Sequence, residues 1–213
     1  MRTPSEAFRD RWLEAALPHI NADGWTDAVL TRAAKAAELS ENQQALAAPN
    51  GARDLIDHFF ELATDDMLNR LATQDLDKMR VHERVAAGLR AWLYGLDPNR
   101  EAVRRAAARG LLPWGAGAAS RRVWKIADAI WEAAGDTATD YNRQTKRALL
   151  SATIPSIVLY WLNSADQEDV DAFIMRRLKR AMQLGRTGGK IVGPVLSALE
   201  KLKKPRPKTS DGA

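Results

Sequence analysis

The side chains most able to do chemistry are scattered along this chain. His19, His58 and His82 fall on three different predicted helices, and none has a glutamate three residues before it. The Glu-x-x-His pairs that hold two irons in a helical bundle are therefore missing, and no cluster of helpers completes a zinc site. There is no cysteine, which removes every thiolate ligand, nucleophile and disulfide. Gly115-Ala-Gly117 looks like the start of a dinucleotide fingerprint, but no strand precedes it, so the mechanism behind that motif is absent. No Walker loop and no Gly-x-Ser-x-Gly elbow occur. The expectation is a protein with no catalytic residue, no metal and no cofactor.

What remains is apolar and basic. The net charge of +5 is unevenly placed: Arg176 to Ala213 holds eleven Lys or Arg against Glu200 and Asp211, a balance of +9 that leaves −4 for residues 1–175. A basic end on an acidic body suits an anionic surface. Within it, Ile191, Val195, Leu196, Leu199 and Leu202 share one helical face, with Lys201, Lys203 and Lys204 beside them. That pattern predicts an amphipathic helix lying on a membrane, after a Gly188-Gly189 hinge and with Pro194 near its start. No apolar run reaches the roughly 20 residues of a membrane span. Met1 to Phe8 shows no signal-peptide core, so the expected place is the bacterial cytoplasm, peripheral to the inner membrane, or the matrix side in a mitochondrion.

The elements that must position these groups are helices, since apolar residues recur at helical period throughout. Thr3-Pro4 with Glu6 forms a capping box, opening a helix striped by Phe8, Trp12, Ala16 and Ile20. Thr26 opens a second helix, and Ser40 with Gln43 caps a third running to Pro49. Asn50 is the expected cap of the fourth. Val81 to Leu93 marks the fifth, and Asp97-Pro98 opens a sixth ending near Gly110. Val123, Ile126, Ala127 and Ile130 stripe a helix ending at Gly135. Asp136 or Thr137 can cap the next, with Asp140 in its first turn. That helix, about 139–162, is expected to break or bend at Pro155. A further helix should stop at Gly185. The expected class is all-α with about ten helices, divided as residues 1–50, 51–186, the amphipathic helix 187–204 and a disordered tail 205–213.

Leu13-Glu-Ala-Ala16, Asp23-Gly24-Trp25, Ala33 to Ala37 and Asp54-Leu-Ile-Asp-His-Phe59 resemble the helix-turn-helix domain of TetR-family repressors. Yet Ser40 to Pro49, where such a domain would read DNA, contains Glu41 and no Lys or Arg. A surface of this kind cannot release phosphate counterions. The helix-turn-helix reads as degenerate, with no specific DNA as partner; the alternative is a TetR-like regulator with a hydrophobic ligand.

A second resemblance covers residues 78–185. Ile130 to Asn142, carrying Trp131, Ala134, Gly135, Asp136, Asp140, Tyr141 and Asn142, followed by Thr145-Lys-Arg-Ala-Leu-Leu150, is similar to the lipid-binding accessory protein of ubiquinone (coenzyme Q) biosynthesis, the ninth of the COQ series. Where that family often has an aromatic pair, this chain has Arg143-Gln144, and Asn163 stands where an Asp is common. The resemblance implies a TetR-like fold, a homodimer, an isoprenoid lipid or quinone intermediate held between C-terminal helices, and an anionic membrane surface. It also implies docking to the di-iron demethoxyubiquinone hydroxylase. Candidate lipid contacts are Trp92, Trp124, Ile154, Ile157, Val158, Trp161, Phe173 and Leu178, although a filled core would account for the same residues. Candidate docking residues are Leu112, Pro113, Trp131 and Tyr141, an aromatic and apolar group beside a proline turn.

Overall fold

The computed structural model describes residues 2–108, 118–137 and 141–187, with side chains for all of these but 118–120, 141 and 184–187. The amphipathic segment of Ile191, Val195, Leu196, Leu199, Leu202, Lys201, Lys203 and Lys204 lies outside the described residues, as do Leu112, Pro113, Asp140 and the side chain of Tyr141. Among the described residues there are nine α-helices and no strand: α1 (Pro4–Asp23), α2 (Asp27–Ala36), α3 (Glu41–Ala47), α4 (Ala52–Ala72), α5 (Val81–Leu96), α6 (Arg100–Ala108), α7 (Ala118–Ala133), α8 (Tyr141–Asn163) and α9 (Gln167–Thr187).

Local chemistry sets the first boundaries. The Thr3 hydroxyl accepts from the Glu6 amide, and the Glu6 carboxylate accepts from the Thr3 amide at 2.7 Å. That backbone donor holds the Glu6 carboxyl below its ordinary pKa. Ser40 and Gln43 repeat the arrangement at α3. Gly24, at φ +79°, ends α1 by donating its amide to the Ile20 carbonyl; a side chain is disfavoured in that backbone region.

Two boundaries differ from the sequence expectation, and at Pro155 the helix does not break. Helix α4 starts from Gly51 at φ +60°, and Asn50 instead donates its amide to the Asp54 carboxylate at 2.8 Å. Helix α8 continues through Pro155 from Tyr141 to Asn163, and the Ser156 hydroxyl donates to the Thr153 carbonyl at 2.8 Å in that turn. Burial of Ile154, Ile157 and Val158 holds the helix together across the proline, as packing commonly overrides local propensity. Helix α9 likewise runs past Gly185 to Thr187.

Helix α1 packs on α2, α3, α4 and α6; α4 on α5 and α7; α5 on α7 and α9; and α8 on both α7 and α9. Indole donors fasten the first group: Trp12 Nε1 donates to the Leu30 carbonyl and Trp25 Nε1 to that of Ala102, each at 2.9 Å. From Trp25 an aromatic chain passes through Phe59 and Phe60 to Trp92, with ring centroids 5.3–6.0 Å apart. One hydrophobic core thus runs from the first helix to the ninth. Close approach of α5 to α7 requires Gly88, where a Cβ would meet Ile130 Cγ2 at 3.0 Å.

Candidate functional site

The segment that carried the second resemblance builds a buried ion network. Arg147 on α8 is 1% exposed. Its Nε is bonded to Asp128 of α7, and its Nη1 donates to Asp136 at 2.8 Å. Lys146 donates to the other Asp136 oxygen at 2.6 Å, while Arg143 donates to Asp128 and Glu132, each at 3.0 Å. Burial pushes the Asp128 carboxyl up, but hydrogen bonds from Arg147 and Arg143 outweigh it, and its pKa lies below the ordinary value. Burial pulls the Arg147 guanidinium down, and its bonds to Asp128 and Asp136 raise it above normal. Asp136 is therefore a network member paired with two cations; residues 138–140, which it was expected to cap, lie outside the described residues. The chain's Arg143, which stands where the family favours an aromatic, has a structural use here as the outer cation.

Trp131 sits at the edge of this network. Its Nε1 donates to the Lys146 carbonyl at 3.1 Å, and the Lys146 ammonium lies 5.3 Å from its ring centroid. The indole is half-buried and packs against the core. Because Trp131 is one residue past the stripe of Ile130, it reaches the side of α7 that faces α8.

Beside Trp131 opens a cleft of about 300 Å³ between the start of α5, the end of α7, the first turns of α8 and the last turns of α9. Val85, Leu149, Leu150 and Leu178 form its apolar walls, and Asn142, Thr145, Lys146 and His82 bring polar groups to them. Val81 and Met182 also line it and remain 53% and 40% exposed. A concave, largely apolar site with a few converging polar groups is the usual form of a small-molecule pocket.

The eight candidate lipid contacts do not come together in this cleft. Only Leu178 lines it. Trp92, Ile154, Ile157, Val158 and Trp161 are at most 1% exposed and fill the core. Phe173 stacks on Tyr160 with centroids 4.1 Å apart, and Trp124 is half-buried on α7. Trp161 also borders an open groove of about 810 Å³ along α4 and α5, and carries the Arg100 guanidinium 4.6 Å above its ring. That groove is lined by charges of both signs, among them Arg70, Glu83, Arg90 and Asp97. Of the docking candidates, Trp131 alone has a described side chain. Sequence reasoning missed Leu149, Leu150, Lys146 and Met182. Met182 carried a usable signal, since it follows Leu178 by one helical turn yet ends the apolar stripe of α9.

The histidines stay apart. His19 is exposed, His82 borders the cleft, and His58 is buried with Nε2 2.7 Å from the Asp10 carboxylate. Its bond to Glu61 holds that carboxyl below its ordinary pKa. Among the described residues no group of His, Cys, Asp and Glu could hold a metal ion, and no helix is long and apolar enough to cross a membrane.

The helix order and packing define an all-α protein of TetR-like fold. A TetR transcriptional regulator from Nitrosomonas europaea superposes with a TM-score of 0.64 at 20% identity, covering 83% of this chain and 98% of that one. In sequence, residues 116–185 match the model of the COQ9 family. The human mitochondrial ubiquinone biosynthesis protein COQ9 is 27% identical over 195 residues, and the rat protein is 26% identical over 196, each alignment covering 87% of this chain. The chain is thus similar to the COQ9 proteins, as the residues from Ile130 to Leu150 suggested. It spans about three fifths of the length of these relatives, 61% of the human protein and 62% of the rat one.

Proposed function

We propose that this protein is a non-catalytic accessory of ubiquinone synthesis that binds an isoprenoid or quinone lipid in the cleft between α5, α7, α8 and α9. The observation that carries this reading is the cleft itself: apolar walls with a few polar groups, built by the start of α5 and by α7, α8 and α9 from the segment that matches COQ9. Its apolar walls suit the cleft to holding a lipid. In this reading the protein acts as a homodimer at an anionic membrane surface, and the basic amphipathic segment of residues 187–204 supplies the membrane contact. The half-buried Trp131 serves as an anchor for the di-iron demethoxyubiquinone hydroxylase, to which the lipid is presented.

Native mass spectrometry of the protein purified without detergent tests lipid binding. A retained quinone or other isoprenoid is the expected result; an empty protein from lipid-replete cells contradicts it.

The likeness in fold to a TetR regulator supports a second reading, a transcription factor with a hydrophobic ligand. Against it, α3 is seven residues long, with Glu41 its single charged side chain, and so offers no cation to a phosphate. Binding to a promoter library at moderate salt should stay at the weak background of the basic tail. A sequence-specific footprint would favour the regulator.

A further inference from the structure

Resting on the reading that residues 187–204 supply the membrane contact, we propose that away from a membrane this segment is stowed in the groove along α4 and α5, so that groove and membrane compete for one apolar face. The groove, of about 810 Å³, lies on the side of α5 opposite the cleft. Val81, His82 and Val85 turn to the cleft. Glu83, Ala87, Arg90 and Tyr94 follow one another at intervals of four, three and four residues, and so form one stripe on the other side. Ala87 and Ala91 make a low floor, which lets a further helix approach closely. Tyr94 is 63% exposed and carries the Arg70 guanidinium 4.2 Å from its ring centroid.

The path of the chain leads the segment to this groove. Helix α9 runs antiparallel to α5: near its start Asp171 pairs with Arg90 at 3.0 Å, and near its end Met182 lines the cleft with Val81. Thr187 therefore ends α9 beside the start of α5, where Met79 and Glu83 form one end of the groove. Gly188 and Gly189 come next, and glycine permits a sharp reversal. A segment that turns back there runs along α5 in the same direction.

Length and charge agree with that course. Glu83 to Asp97 and Lys190 to Lys204 are equally long in sequence, about 21 Å each as helix. In this direction Lys190 meets Glu83, Glu200 comes level with Arg90 and Arg70, and Lys204 reaches Asp97, which also pairs with Arg100. Ile191, Val195, Leu199 and Leu202 share one face and turn it to Ala87, Ala91 and Tyr94. In water an apolar face of this size needs cover. An anionic membrane covers the same face and attracts the same lysines, so each site draws the segment from the other.

The chain has no cysteine, so paired cysteines report where the segment lies. In the full chain, Val195→Cys, Leu199→Cys or Leu202→Cys is combined with Tyr94→Cys in the groove or with Val81→Cys at the cleft. Tyr94 and Val81 are both exposed, and neither change enters the core. After mild oxidation, peptide mapping should find an intrachain disulfide to Tyr94→Cys, and vesicles of phosphatidylcholine and phosphatidylglycerol present beforehand should suppress it. Once formed, the disulfide should weaken sedimentation with these vesicles about tenfold, because it holds the state that does not bind them. Linkage to Val81→Cys, linkage between two chains, or no linkage from any of the three positions overturns the groove as the place of this segment. A disulfide whose yield the vesicles leave unchanged, although the unaltered chain sediments with them, overturns the competition. Failure of the unaltered chain to sediment overturns the membrane reading, and the disulfide still decides whether the groove holds the segment.

Discussion

The two ends of this molecule are held together by different forces. Helices α1 and α3 are closed by reciprocal capping boxes and α2 by the Thr26 hydroxyl, and the group is fastened by neutral indole donors, Trp12 to Leu30 and Trp25 to Ala102. At the other end, α7 and α8 meet around Arg147, a buried cation between two carboxylates. Neutral bonds of the first kind are worth on the order of 1 kcal/mol each. A buried ion pair adds little net stability but is severely destabilising when one partner is lost. The first region is thus robust to single changes. The second depends on a complete network, and that network stands next to the cleft.

The largest effect should follow from breaking the network. Arg147→Met leaves Asp136, whose side chain is 4% exposed, with Lys146 as its remaining cation of the network. Urea unfolding should show a loss of about 3–5 kcal/mol; a loss under 1 kcal/mol would mean that the network relaxes freely. Trp25→Phe is the counterpart at the amino-terminal end. It removes one neutral donor from a wholly buried carbonyl contact, for which about 1–3 kcal/mol is expected. If it proves worse than Arg147→Met, the contrast between the two ends fails.

The pH dependence sharpens the same comparison. Asp128 is held below its ordinary pKa in the folded chain. Its contribution is therefore fully present above the unfolded aspartate value of about 3.9, and is lost as pH falls through the lower folded value. Stability measured from pH 6 downward should hold to about the unfolded aspartate value and then decline as Asp128 protonates, and Asp128→Asn should flatten that decline. An unchanged slope in the variant would place the acid sensitivity elsewhere. The smallest effect belongs to the cap: Ser40→Ala should cost about 1 kcal/mol and leave binding of lipid unaltered, as followed by melting and calorimetry together.

The contrast also explains what could be read in the sequence. Thr3 with Glu6 and Ser40 with Gln43 are close in sequence to the groups they bond, so the pattern alone named them. The stripe Val123-Ile126-Ala127-Ile130 is buried throughout because helical period and burial are directly linked. Arg147 finds its carboxylates 19 and 11 residues away on other elements, and no spacing rule reaches that far. The candidate lipid contacts scatter between core and surface for a related reason. Aromatic and β-branched bulk at Trp92, Ile154, Ile157, Val158 and Trp161 fills a core as readily as it lines a cavity, and only packing tells the two apart. The cleft is instead made where four helices fail to close, from modest residues such as Leu149, Ala181 and Met182. Gly185 misled because local breakers yield to tertiary packing.

The central claim is that the cleft between α5, α7, α8 and α9 is where the lipid binds, and filling it is the most direct test. Ala181 lines the cleft from α9 and is partly exposed, so Ala181→Trp occupies the space without entering the core. Native mass spectrometry of this variant beside the unaltered protein, with melting temperatures recorded for both, should show the lipid gone and the fold kept. A stable variant that retains the same lipid in the same amount would contradict the assignment of the cleft.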